Sequence, residues 1–275
     1  MEVRSLSRTE AKIVLSLEAE GRDVVSLDEI RRSTRSTPGF ARKIAFGLVR
    51  KGWLQRTRRG VYLLNPSRHG PEAIPDADPL RVGSLLAEPY YFGYATAAEL
   101  HGLLPQAGHV YYLVTTGRQG SREFGASRFQ AVRIRRSRFF GTERRRRRGR
   151  EIVVSDLERT VLDCLARPGL AGGMGGATHV FAIAKPRLDW RRLGAYLDRL
   201  GVRSLEQRLG FLAEHVRPSV RAPVSWVRRV LPGPHVPFAV LAPPGRYGRR
   251  GERDARWRLI RNVTDGELFA EGRIR

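Results

Sequence analysis

Three helix-start signals followed by a basic hairpin occupy the first 64 residues, and their order leaves few ways for that stretch to fold. Ser7 and Glu10 have capping-box spacing, in which the hydroxyl takes the N3 amide and the carboxylate reaches back to the N-cap amide. Ala11, Val14 and Leu15 then fall at helical spacing, with Ile13 and Leu17 widening the apolar face. Ser26 and Glu29 repeat the box, and Val25 and Ile30 sit at hydrophobic-staple positions. Thr37-Pro38 is the third start, with Thr37 as N-cap and Pro38 at the first helical position, where a missing N–H costs nothing. This third helix is expected to run to about Lys51 and to stop at Gly52. WLQRT, the turn RRG and VYLL then read as two short strands around Gly60. Three helices and a basic hairpin in this order predict a winged helix-turn-helix.

On the third helix Ala41, Ile44, Ala45 and Leu48 fall at i, i+3, i+4 and i+7 and must face the core. The opposite side presents Gly39, Lys43, Phe46 and Arg50, with Arg42 on its flank and Ser36 and Thr37 before it. A helix with a small residue near its start and cations on its outer face suits the major groove, its N-terminal half meeting base edges and its cations meeting phosphates. Arg56, Arg58 and Arg59 sit where a wing tip would touch the sugar-phosphate backbone. Phe46 has two uses open to it: contact with a thymine methyl, or packing beneath the wing.

The charge supports a polyanionic partner. Of 275 residues, 51 are Lys or Arg against 27 Asp or Glu, a net charge of +24, and only Lys12, Lys43, Lys51 and Lys185 among the cations are lysines. Residues 1–66 carry 14 basic and 7 acidic groups, residues 67–116 carry 2 and 5, and residues 117–150 carry 13 and 2. Arg144, Arg145, Arg146, Arg147 and Arg148 are the densest source, read as a loop that adds phosphate contacts or is simply solvated. The acidic, Pro-containing stretch PSRHGPEAIPDADP places a linker at 67–79, between a winged-helix domain at 1–66 and a larger domain at 80–275.

That larger part reads as mixed α and β, so the chain as a whole is expected to be α+β. Helices are expected at 79–89, 94–104, 177–185, 189–200 and 204–216, and strands at 110–116, 128–136, 151–155, 236–242 and 255–263. Ser155 with Glu158 offers another capping box, ahead of a helix whose stripe is Val161, Leu162 and Leu165. His101 before Gly102 is placed at a helix C-terminus, contacting the last carbonyls. The glycines of 169–176 lack the order of a phosphate-binding loop and read as a flexible helix entry.

The stretch Tyr94-Ala95-Thr96-Ala97 with His101-Gly102-Leu103, then Arg138-Phe139-Phe140-Gly141, then Val154-Ser155-Asp156-Leu157-Glu158-Arg159-Thr160-Val161-Leu162-Asp163, resembles the AbiEi family. Its members look like antitoxins of type IV toxin-antitoxin systems. The resemblance covers nearly the whole chain and implies an N-terminal winged helix joined to a C-terminal antitoxin domain. It implies repression of the protein's own promoter at inverted repeats in double-stranded DNA. It also implies opposition to an operon-encoded nucleotidyltransferase-like toxin without a stable complex. Asp156, Glu158, Arg159 and Asp163 are its most specific motif, and are candidates for the antitoxin function.

Read from the residues alone, the same four have a structural use: carboxylates in a helix's first turn, and an i, i+4 ion pair between Arg159 and Asp163. No lysine lies near a paired carboxylate, and the six histidines show no metal-ligand spacing, so no catalysis, metal or cofactor is expected. The single cysteine, Cys164, excludes an internal disulfide. No apolar run approaches a membrane span, and MEVRSLSRTEAK lacks the apolar core of a signal peptide, so no membrane partner and a cytoplasmic, nucleoid-associated location are expected. The alternative is a basic RNA-binding or nucleic-acid-processing accessory protein, with Tyr111 and Tyr112 as the candidates for stacking on bases.

Overall fold

The computed structural model describes residues 5–70, 78–105, 109–147, 150–217 and 220–269. Its contacts group the chain into two units, Met1–Glu88 with Ser121–Phe129, and Pro89–Gly120 with Gln130–Arg275.

In the first unit both capping boxes form. Ser7 starts α1 (Arg8–Ala19): its amide donates to Glu10 Oε2 at 2.8 Å and its hydroxyl accepts the Glu10 amide. Val24–Ser26 is a short strand, β1, and Ser26 then caps α2 (Leu27–Thr34) through the equivalent pair with Glu29. Arg35, left-handed at φ 49°, ends α2, and the three residues 35–37 turn the chain into α3 (Pro38–Arg50). Thr37 caps α3 by accepting the Phe40 amide at 3.3 Å. The hairpin follows as β2 (Leu54–Arg58) and β3 (Val61–Leu64), and β1 joins it on the far side of β3, in the order β1-β3-β2. That third strand was not expected.

Ile13, Val14, Leu17, Ile30, Ile44 and Leu48 meet Trp53, Leu54 and Tyr62 in one core. Each short helix is therefore held mainly by burying an apolar stripe, since helices of this length are marginal alone. α4 (Pro79–Leu86), capped by Asp78, is anchored by the ion pair of Arg81 with Asp23 at 3.0 Å. It falls in the first unit, beyond the 66/67 and 79/80 boundaries drawn from the sequence. Residues 71–77 of the expected linker lie outside the described residues.

The second unit opens with β4 (Tyr90–Phe92), α5 (Tyr94–Leu100) and β5 (Val110–Thr115); β6 (Gly120–Phe124) and the start of β7 (Ser127–Arg133) fall in the Ser121–Phe129 stretch grouped with the first unit, and β8 (Thr142–Arg147) and β9 (Arg150–Ser155) belong to the second. The sheet order is β6-β7-β5-β4-β9-β8, with β4 antiparallel to β5 and parallel to β9. Helices α6 (Leu157–Ala166), α7 (Gly173–Ala184), α8 (Trp190–Leu200), α9 (Arg203–His215) and α10 (Val224–Val230) come next. β10 (Ala239–Val240), α11 (Pro244–Tyr247), β11 (Glu252–Asp254), β12 (Leu259–Arg261) and α12 (Asp265–Leu268) close the unit, with the strands ordered β10-β12-β11. Helices and three separate sheets give a mixed α/β architecture of the α+β kind. No helix among the described residues is long and apolar enough to cross a membrane.

Three details of this unit correct the sequence reading. Asp156, not Ser155, caps α6: its carboxylate accepts the Arg159 amide at 2.8 Å, while the Ser155 hydroxyl is taken up by Thr160 at 2.7 Å. β9 ends at Ser155, where the expected strand at 151–155 also ends, and the cap falls to the next residue. His101 does end α5, but its ring does not bond the helix's own carbonyls: Nε2 lies 2.8 Å from the Ser155 carbonyl of β9. Two of the glycines, Gly175 and Gly176, lie inside α7 and are not a loose entry. A Cβ on Gly176 would lie 2.1 Å from the Ala171 carbonyl oxygen and one on Gly175 2.6 Å from that of Glu267, so only glycine permits the backbones to approach so closely.

Lys185 follows the end of α7 and is almost wholly buried. Its ammonium donates to the carbonyls of Ala213 at 2.8 Å, in the last turn of α9, and of Val216 at 2.5 Å and Arg217 at 3.0 Å, just beyond the helix. Burial, with Arg217 nearby, pushes its pKa down to about 8.

Candidate nucleic-acid interface

The four core positions of α3, Ala41, Ile44, Ala45 and Leu48, are buried, so the helix has one outward face and its membership is fixed by 3.6-residue periodicity. Gly39, Arg42, Lys43, Phe46 and Arg50 are all exposed there, Phe46 by 68%. With that exposure, Phe46 does not pack beneath the hairpin. Open space surrounds Gly39, where an added Cβ would meet no atom within 4 Å. Ser36 and Thr37 are engaged locally, Ser36 Oγ lying 2.8 Å from Thr34 Oγ1 and Thr37 acting as the cap.

The hairpin presents its arginines unequally. A bulge between Arg56 and Arg58 turns Thr57 inward, where its hydroxyl donates to the Val61 carbonyl at 3.2 Å. Arg56 and Arg59 stay exposed. Arg58 donates to Glu88 at 2.6 Å and so is partly neutralised. Among the described residues, Arg42, Lys43, Arg50, Arg56 and Arg59 have no hydrogen-bond or ion-pair partner. On α3 and the hairpin, five cations therefore have unused donors among the described residues, three on the outer face of α3 and two on the hairpin.

The arginine run is not a loop. Residues 142–147 form an edge strand, β8, antiparallel to β9, and pleating divides the run. Arg145 points inward: it pairs with Glu143 at 2.5 Å and donates to the Leu100 carbonyl and to His101 Nδ1. With Nδ1 accepting, His101 keeps its proton on Nε2 for Ser155. Burial above all, and the neighbouring Arg145, lower the His101 pKa, although the Ser155 bond acts in the other direction. Arg144 pairs with Glu151 at 2.8 Å on the surface, while Arg146 and Arg147 are exposed. Arg148 lies outside the described residues.

Asp156, Glu158, Arg159 and Asp163 are brought together, and all four are buried. Arg159 donates to Asp163 Oδ1 at 2.9 Å and to the Tyr91 hydroxyl at 3.1 Å, and Tyr91 in turn donates to Asp163 Oδ2 at 3.1 Å, closing a triangle. The guanidinium lies 4.7 Å from the centre of the Phe140 ring. Asp156 also accepts from the Tyr196 hydroxyl at 2.7 Å, and Glu158 accepts from the Asp189 amide at 2.9 Å. Burial pushes the Asp163 pKa up, against the pull of Arg159 and Tyr91, and pushes the Tyr91 pKa up strongly. Sequence spacing foresaw the Arg159–Asp163 pair but not Tyr91, which is 72 residues from Asp163 and reaches it only through the fold.

No cluster of three or more His, Cys, Asp or Glu among the described residues is arranged to hold a metal ion. Tyr111 and Tyr112 are both half-buried, and Tyr112 packs edge-on against Tyr94 with ring centres 6.1 Å apart, a poor platform for stacked bases.

The chain matches no family model and no curated protein. It is similar in fold to the RV2827C protein from Mycobacterium tuberculosis, known from its crystal structure: TM-score 0.66, 17% identity, with 94% of this chain and 92% of that one covered. At that identity the likeness concerns the fold.

Proposed function

We infer that the first unit is a winged helix-turn-helix that binds double-stranded DNA, and that the protein is a transcriptional repressor of its own promoter. The observation that carries this reading is the outward face of α3, where Arg42, Lys43 and Arg50 surround an exposed Phe46 and have no partner among the described residues. Salt-bridged surfaces hide their charge; this one keeps it for an anion. The α2–α3 turn spans three residues, within the usual range of a helix-turn-helix, and α3 is its second helix, the one that enters the major groove. Arg56 and Arg59 on the β2–β3 hairpin are suited to the flanking phosphates. Phosphate contacts supply affinity that falls with salt, and α3 supplies sequence preference.

The resemblance to AbiEi antitoxins extends the reading to the second unit, as the part that opposes a nucleotidyltransferase-like toxin without stably binding it. The buried triangle of Tyr91, Arg159 and Asp163 acts there as the internal brace of α6 rather than as a contact surface. Two experiments test the reading. In a mobility-shift assay the full chain should retard the duplex upstream of its own gene in preference to a scrambled duplex and to structured RNA. Co-expression with the neighbouring reading frame should relieve growth arrest if that frame encodes the toxin. A preference for RNA would replace the repressor reading with the accessory-protein alternative.

A further inference from the structure

Phe46 is the anomaly of the α3 face. A phenylalanine exposed by 68% on a helix with a complete buried stripe contributes nothing to the core. Its neighbours on that face are Lys43, one turn before it, and Arg50, one turn after it. A second copy of the chain is a poor cover for it. A twofold contact through this patch would bring two sets of Arg42, Lys43 and Arg50 against each other, and like charges face to face oppose association. The complementary surface must be anionic around a small apolar spot. The major groove of DNA offers that combination: phosphates along its walls and, at each A·T pair, the C5-methyl of thymine on its floor.

We propose that Phe46 reads a thymine C5-methyl in each half-site and thereby sets part of the sequence preference, while Lys43 and Arg50 hold the helix in register over it. The proposal rests on the DNA-binding reading above and names the base that its site recognises. Gly39, with open space around it, leaves the N-terminal end of α3 free of a side chain that would lift the helix away from the bases. Phe40, on the flank and 49% exposed, lies about 100° around the helix from Gly39 and is not required for the contact.

The test uses the full chain and the preferred site recovered by selection from random duplexes. Each thymine is replaced singly by deoxyuridine, which removes the methyl and leaves every hydrogen-bonding group in place. The wild-type protein should lose about fourfold in affinity at one position per half-site, the factor expected for one methyl-sized group returned to water. Phe46→Ala should bind the thymine and uracil duplexes equally, with an unchanged slope of affinity against salt. Phe46→Leu should keep part of the discrimination, and it controls for any local change caused by the alanine. Binding that is indifferent to every thymine-to-uracil change, or a sensitivity that survives in Phe46→Ala, overturns the proposal and leaves the DNA-binding reading intact. Failure to bind any duplex at low salt overturns both.

Discussion

The ammonium of Lys51 lies 2.7 Å from Glu10 Oε2, joining the C-cap of α3 to the first turn of α1. The same carboxylate oxygen accepts the Ser7 amide, so one side chain both starts α1 and ties it to the end of the helix that carries the proposed DNA contacts. The Glu10 side chain is 8% exposed and that of Lys51 25%. Their pairing orients α3 on the core and leaves the opposite face of the helix outward.

Glu10→Gln should therefore destabilise the first unit by about 2 kcal/mol at neutral pH, the usual scale for a hydrogen bond to a charged group. Burial of the Glu10 carboxyl opposes its ionisation, but Lys51 and Ser7 outweigh burial and hold its pKa below 4.5. A depressed carboxylate pKa gives stability that is complete above the unfolded value and is lost as the pH falls through the folded one. Wild-type stability should thus decline below pH 4.5, and Glu10→Gln should show a shallower acid limb. Urea titration read at α3 amides checks both; parallel acid limbs would argue against the assignment.

The cations of α3 and of the hairpin should differ in what they lose. Arg42→Ala and Lys43→Ala should narrow the gap between operator and random DNA, by about 1–3 kcal/mol where a base contact is removed. Arg56→Ala and Arg59→Ala should weaken both duplexes alike and each lower the slope of log K against log salt by about 0.9. Arg58→Ala should do less than either, because Glu88 already holds Arg58, and Glu88→Gln should strengthen non-specific binding. Anisotropy titrations over a salt series separate these cases.

Within the arginine run the pleat of β8 divides binding from structure. If β8 supplies phosphate contacts, Arg146→Gln with Arg147→Gln lowers the salt slope by roughly two and leaves the melting temperature unchanged. Arg145→Gln should act in the opposite way, lowering the melting temperature by removing the donor to His101 Nδ1 and the Leu100 carbonyl. A double variant with the wild-type slope would remove β8 from the interface.

The Tyr91–Arg159–Asp163 triangle should behave as a brace. Asp163→Ala leaves a buried guanidinium without its counter-ion and should cost about 3–5 kcal/mol. Tyr91→Phe should cost about 1–3 kcal/mol by leaving one bond unmade on each of its partners. Neither change should alter DNA affinity at temperatures where the protein remains folded. Denaturation curves paired with binding isotherms test this, and a loss of binding without a loss of stability would contradict it.

Local chemistry made the first unit readable. Ser7 with Glu10, Ser26 with Glu29 and Thr37 with Pro38 encode helix starts within four residues of chain, and each forms as expected. β1 escaped notice because Val24–Ser26 is too short for alternation to register, and it exists only through pairing with β3. At Ser155-Asp156 both residues can cap a helix, and the choice falls to the length of β9, which its sheet partners set. The Arg144–Arg147 stretch has the charge of a solvated loop; pairing with β9 makes it a strand and turns Arg145 alone inward. Nothing near Lys185 in sequence marks it as buried, because the carbonyls that take its ammonium come from residues 213–217, across a whole helix hairpin. Capping signals are written in adjacent residues, whereas the interior polar contacts depend on segments brought together by folding.

Docking of the outward α3 face on duplex DNA is tested most directly by a salt-series titration of upstream and scrambled duplexes with the wild-type chain and with a Lys43→Ala, Arg50→Ala variant. Wild type should bind the upstream duplex more tightly, with log affinity falling linearly with log salt, and the variant should retain its fold but lose most of that preference. Wild type and variant binding both duplexes with equal affinity would contradict such docking.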